Sequence, residues 1–339
     1  METTARPVID ITQVVNDFLN TIDKDREREI ITKRFGLEDR KETLEEIGKL
    51  LGITRERVRQ IEKQTLTRLQ QMEHDHKEAI KEHFLSALES LGRIVPLHEV
   101  SDYSNAKEHS HVNFLAHLIP EILVINENDD FHHSLALREH HPDYKVVHNL
   151  HDEVLKALNT LGKPVSLSDI HKHLEDKLEE HHLHGILRSS KHITTLDGSW
   201  GLASWPQVNP KSIRDKVYIV LSRSNEPMHF NEIAEKIKNS DFKRKDVTTQ
   251  AIHNELIKDS RFVLVGRGIY ALDEWGFSQG TVADVIESVL KQESPLHRDE
   301  IVKKVLQQRQ VKPTTVVLNL QSKDKFKRVS KATYAIAKE

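Results

Sequence analysis

Four short proline-centred stretches recur along the chain at nearly equal intervals: RIVPLHEV (93–100), GKPVSLSDI (162–170), NEPMHFNEI (225–233) and ESPLHRDEI (293–301). Their prolines, Pro96, Pro164, Pro227 and Pro295, are 68, 63 and 68 residues apart. Such a period implies a series of similar small modules, each burying its own apolar face. The length of 339 residues allows two to five of them. Each proline follows one apolar-periodic helix and precedes another. Ile80, Phe84 and Leu88, then Val154, Leu158 and Leu161, then Val217, Val220 and Leu221, then Val282, Val285, Ile286 and Val289 each describe one helical stripe. A third helix candidate and a strand pair close each repeat. The pairs are ILVINENDDFHHSLAL (122–137), the loosest of the four, HITTLDGSWGLAS (192–204), FVLVGRGIYALD (262–273) and FKRVSKATYAIA (326–337). Apolar alternation on both sides of a short polar or glycine turn is a hairpin signal.

Three helices followed by a β-hairpin is the layout of a winged helix. The expected fold is therefore mainly α: an N-terminal helix-turn-helix domain over 1–76, then tandem winged-helix units at 77–145 (degenerate), 146–208, 209–276 and 277–339. Linker candidates are WPQVNPK (205–211) and EWGFSQG (274–280).

The N-terminal module carries the densest motif, TLEEIGKLLGITRERVRQIEK (43–63). Thr43 stands three residues before Glu46, the spacing of a capping box. Leu44, Ile47, Leu50 and Leu51 form an apolar face, Gly52 suits a tight turn, Ile53 is a candidate core plug, and Thr54 offers an N-cap hydroxyl. In the second helix Val58, Ile61, Leu66 and Leu69 fall on one side, and Arg55, Glu56, Arg59, Gln60 and Lys63 on the other. Residues 54–68 contain five Lys/Arg against two Glu. A helix displaying Arg, Glu and Gln in its first turns suits the major groove, where these side chains match guanine, cytosine and adenine edges. Arg57 and Lys63 are placed for phosphates, and the start of the first helix at Thr43 offers backbone N–H groups to another.

The stretch RFGLEDRKETLEEIGKLLGITRERVRQIEKQTLTRL (34–69) closely resembles region 4 of primary bacterial sigma factors, through RFGL (34–37), TLEEIG (43–48) and TRERVRQIE (54–62). The resemblance implies binding to the −35 promoter element, of TTGACA type, and docking on the β flap of RNA polymerase. Carried over by position, Arg55, Glu56 and Gln60 would read bases. Thr54, Arg57, Arg59, Lys63, Thr43 and Arg34 would be backbone or supporting contacts. Only about 30 residues precede the match. The expectation is thus a factor without the regions that bind the −10 element and melt promoters.

Further along, residues 212–275 resemble the HARE-HTH winged-helix domain of the polymerase delta subunit and of several chromatin and restriction-associated proteins, through PMHFNEIAEKI (227–237) and FVLVGRGIYALDEWG (262–276). SPLHRDEIVKKV (294–305) and FKRVSKATYAIA resemble it less. Charge divides the modules. Residues 71–146 carry a net −8 and 147–208 a net −2, whereas 209–275 carry +2 and 276–339 carry +5. Lys243, Arg244 and Lys245 precede a third helix expected to start near Thr248, with Arg267 in the following hairpin turn. Lys312 and Thr314, with Lys323, Lys325, Lys327 and Arg328, are the equivalents in the last module. These cations suit phosphate, while the acidic central modules suit protein contact or spacing.

Cysteine is absent, which excludes disulfides, thiolate zinc sites and cysteine nucleophiles. Of the 22 histidines, 19 lie between His74 and His192. His171, His173, His181, His182 and His184 are candidate zinc ligands, but no HExxH spacing exists, and the expectation is exposed histidines without metal. No P-loop, dinucleotide glycine motif or nucleophile elbow is present, so neither a cofactor, a small-molecule substrate nor an enzyme is expected. No apolar run approaches a membrane span and METTARPVID lacks a signal-peptide pattern, so the expected location is cytoplasmic and nucleoid-associated. The leading expectation is a sequence-specific DNA-binding transcription factor that associates with RNA polymerase. The alternative is a delta-like polymerase accessory protein without base readout, and a DNA-binding subunit of a nuclease system is a third reading.

Overall fold

Sixteen α-helices and eleven short strands make up the computed structural model, which describes residues 9–175, 177–277, 280–309, 311–322 and 324–337. Lys323, residues 278–279 of the second linker candidate and residues 1–8 lie outside the described residues. The chain divides into two compact units after Ser204.

Unit one opens with four helices, α1 (Ile11–Asn20), α2 (Asp25–Phe35), α3 (Leu44–Leu51) and α4 (Arg55–Gln71). Asp10 caps α1 by accepting from the Gln13 amide, and Ile11, Val14, Val15, Phe18 and Leu19 give it one buried stripe. Next come α5 (Lys77–Leu91), β1 (Ile94–Pro96), α6 (Leu97–Tyr103), α7 (His109–His117), β2 (Ile122–Ile125) and β3 (Ser134–Leu137). Then follow α8 (Tyr144–Leu161), α9 (Leu167–His173), α10 (Glu180–Ser189), β4 (Ile193–Leu196) and β5 (Ser199–Leu202). Unit two repeats the order twice. It runs through α11 (Ile213–Ser224), β6 (Met228–His229), α12 (Phe230–Lys238), α13 (Thr249–Lys258), β7 (Phe262–Gly266) and β8 (Ile269–Leu272). The second pass is α14 (Val282–Gln292), β9 (Leu296–His297), α15 (Arg298–Gln308), α16 (Pro313–Asn319), β10 (Phe326–Ser330) and β11 (Thr333–Ile336).

A strand not anticipated from the sequence follows or contains three of the four recurrent prolines, and an isolated bridge follows Pro164. β1 pairs with β3, β6 with β8 and β9 with β11, all antiparallel, and Val165 makes a single bridge to Trp200. The resulting sheets have the orders β1-β3-β2, β6-β8-β7 and β10-β11-β9, with β4-β5 two-stranded. Each added strand is an edge strand, where a proline at or just before the pairing removes no needed donor. The repeat is thus the sheet's entry point as well as a helix boundary.

Packing does not respect the module boundary read at residue 76. One apolar core joins Val14 and Phe18 of α1, Phe35 of α2, Leu69 of α4, Phe84 of α5, Phe114 of α7 and Leu135 of β3. His111 extends the join through polar atoms, its Nε2 lying 3.1 Å from the Leu37 carbonyl, and Gln70 donates to the His117 carbonyl at 2.7 Å. Helix α10 in turn lies against β1. A Cβ on Gly185 would come within 2.3 Å of the Ile94 carbonyl oxygen, so only glycine allows this approach. Arg188 of α10 pairs with Glu99 and donates to the Leu91 carbonyl, and Arg93 bridges Glu89 and Glu179 at 2.9 and 3.0 Å.

Two local expectations need correction. Leu50, placed on the apolar face of α3, is 57% exposed, because the core of this corner is filled by Ile30, Ile47 and Val58. The linker candidate 205–211 begins where the two units divide, and within it a Val208-to-Trp205 hydrogen bond turns the chain and Val208 is buried. The histidines are not uniformly exposed, since His111, His141, His151 and His182 are buried.

Candidate nucleic-acid interface

The helix–turn–helix corner is built by α3 and α4. Thr43 Oγ1 accepts from the Glu46 amide at 3.2 Å while Glu46 Oε2 accepts from the Thr43 amide at 2.7 Å, a complete capping box. These bonds hold the Glu46 carboxyl below its ordinary pKa. Gly52 ends α3 in the left-handed region at φ 63°. Gly48 serves a different need: a Cβ there would meet the Ile53 carbonyl oxygen at 2.8 Å, too close for any side chain. Thr54 then caps α4 by accepting from the Arg57 amide at 3.2 Å.

The inner face of the corner is apolar, with Ile30, Ile47 and Val58 buried and Leu44, Leu51, Ile53 and Ile61 packed around them. Farther along, α4 plants Leu69 in the larger core, with Leu66 packed against it. One helix therefore ties the corner to the rest of unit one. Helix α2 braces it from behind. Arg26 donates to the Leu51 carbonyl at 2.8 Å, Arg34 lies 3.3 Å from Glu62, and Arg68 pairs with Glu27 at 2.7 Å. Sequence reading missed Arg26, Glu27 and Glu62 as positioning residues. The alternating charges of DREREIITKR (25–34) were the available signal.

On the outer face Thr43, Thr54, Arg55, Glu56, Arg57, Arg59, Gln60 and Lys63 are all exposed. Arg34 differs: it is half-buried, also donating to the Glu42 carbonyl at 3.3 Å, so it sits in the scaffold behind α4. Glu56 accepts from both Arg59 Nε and Nη2, at 2.9 and 2.7 Å, and the guanidinium holds the Glu56 carboxyl below its usual range. Arg57 reaches Gln60 Oε1 at 3.4 Å. No hydrogen bond or ion pair is described for Arg55 or Lys63. The arrangement is a row of donors and acceptors along the first turns of a capped helix, open to solvent.

Among the described residues no three His, Asp or Glu side chains are grouped to hold a metal ion. No described helix is long and apolar enough to cross a membrane.

A helix pair of this geometry, capped at both starts and exposing a charged second helix, places the corner in the helix-turn-helix class. Residues 24–71 match the family model of Sigma-70, region 4, beginning ten residues before the resemblance read from the sequence. Over 62 residues the chain is 50% identical to the RNA polymerase principal sigma factor HrdD of Streptomyces griseus, 18% of either chain. The chain thus spans less than a fifth of the length of that relative.

Proposed function

We propose that this chain is a DNA-binding, RNA polymerase-associated transcription protein whose N-terminal corner reads a −35-type promoter element. The single observation that carries this reading is the open outer face of α4 inside the region 4 match, with Arg55, Glu56 and Gln60 side by side over two turns. Arg55 pairs with a guanine edge, Gln60 with adenine, and Glu56 accepts from a cytosine amino group. Arg57, Arg59 and Lys63 meet phosphates, as do Thr43 and Thr54 at the two helix starts, while Arg34 supports α4 through Glu62. The Glu56–Arg59 bridge is exposed and screened by water, so contacts with DNA replace it readily. The matching relative is a polymerase sigma factor, which supports polymerase, by way of its β flap, as the protein partner.

We read the four runs of three helices and a hairpin as winged helices, the third of HARE-HTH type. Such modules, two of them acidic, also suit a delta-like accessory role at the polymerase.

Binding of the full chain to a −35-containing duplex and a scrambled one tests base readout. Arg55→Ala and Gln60→Ala should each cost about 1–3 kcal/mol on the specific duplex and little on the scrambled one. If the double variant and the unaltered chain show the same preference between the two duplexes, the base-reading assignment is wrong.

A further inference from the structure

The four repeats share one order of three helices and a hairpin but use their third helix in opposite ways. In unit one these helices are sealed. Six of the nine residues of α7 are buried, His111 to Ala116 without interruption, under α1 and α2. Six of the ten residues of α10 are buried, with its Gly185 backed onto β1. In unit two the equivalents are open: only Ile252 and Leu256 are buried in α13, and only Val316 in α16. The charge follows the same division, from net negative in both sealed modules to +2 and +5 in the open ones.

The open helices are accompanied by organised cations. Lys243, Arg244 and Lys245, all exposed, lie on the loop that leads into α13. Beneath them Lys216 is 3% exposed, and its Nζ donates to the carbonyls of Lys243 and Arg244 at 2.9 and 2.7 Å. Burying an ammonium is costly unless it is hydrogen-bonded. Here those bonds pin the loop backbone, so the three cations are presented by a fixed segment. On α13 itself Gln250 and Asn254 form an exposed amide pair at 3.0 Å. In the last module four consecutive residues of β10, Lys327 to Ser330, are exposed. Successive strand residues face opposite sides, so Lys327 and Arg328 place cations on both faces of the hairpin.

We propose that unit two carries a second nucleic-acid surface, which grips the phosphate backbone of duplex DNA without reading sequence, through the 243–245 loop beside α13 and the β10–β11 hairpin. It does not depend on base readout by α4. Polyphosphate backbones match dispersed, exposed cations on a fixed scaffold, whereas an apolar partner would not.

The test uses the full chain bearing Arg55→Ala, Arg57→Ala, Arg59→Ala and Lys63→Ala, so that phosphate binding by the corner does not mask the result, and a random duplex of about 30 base pairs followed by anisotropy across salt concentrations. Adding K243E, K245E, K327E and R328E should weaken binding at least about tenfold and lower the log–log salt slope by about 0.9 per lost phosphate contact. In the chain with an intact α4 the same four reversals should leave the ratio between −35 and scrambled duplexes unchanged. A control that alters the same charge elsewhere in unit two, K291E with K304E, should have a smaller effect than K327E with R328E. Unchanged affinity and slope in the four-fold variant, with native circular dichroism, overturns the proposal. So does loss of single-stranded RNA binding while duplex DNA binding persists, or equal effects of the two paired reversals.

Discussion

Two buried imidazoles meet where α10 faces the end of the first module. His182 Nε2 and His141 Nε2 are 2.8 Å apart, so one ring donates to the other and both are neutral. Burial pushes His141 down to about 4 and His182 down to about 3, and the nearby His140, His181 and Arg93 act in the same direction. In the unfolded chain each titrates near 6.5. Folded pKa values below the unfolded ones mean that the unfolded chain takes up protons first as pH falls. Their stabilisation is therefore full above about pH 6.5 and is lost progressively down to pH 4. Between pH 7 and pH 5 each histidine should remove up to about 2 kcal/mol of stability from unit one. Denaturant titrations at the two pH values check this, and H141Q with H182Q should flatten the difference. A pH dependence identical in the double variant would show that other groups set it.

At the scale of elements, the decisive contact is α10 on β1. Gly185→Ala places a Cβ 2.3 Å from the Ile94 carbonyl oxygen and 2.5 Å from that of Gly92, both backbone atoms with little room to yield. The helix must lift, at a cost of about 1–3 kcal/mol of the overpacking kind. The midpoint of denaturation should drop, whereas the proposed duplex binding by α4 should be unaltered in the folded chain because Gly185 lies outside the corner packed on Ile30, Ile47 and Val58. Unchanged stability in this variant would mean that the two elements do not approach as described. The corner itself was legible in the sequence, since caps, turn glycine and apolar stripe all act within 21 residues, 43–63. The fate of α7 and α10 was not. The histidines of EHHLHGILRS read as exposed, yet His182 is buried, and HSHVNFLAH gave no sign that six of its nine residues would be covered.

For the whole molecule, the continuous core from α1 to β3 makes residues 11–137 a single cooperative body. Native-state hydrogen exchange should give amides of α4 near Leu69 and of α7 near Phe114 one shared opening free energy, and no separate opening at residues 72–76. Two distinct values on either side of that boundary would show that the corner and the first repeat unfold independently. The division after Ser204, by contrast, follows a turn in which only Val208 is buried.

Sequence alone determined the period of the repeats, the helix order within each, the capped corner and the contrast of charge between acidic and basic modules. All of these arise from local spacing, turn chemistry and composition, which act over a few residues. Only the tertiary structure decided which third helices remain open, that the recurrent prolines lead into sheet edges, and that the corner shares its core with the first repeat. Those outcomes depend on which apolar face meets which neighbour, a choice made by shape and burial between residues as far apart as Thr12 and His111 and invisible to any local pattern.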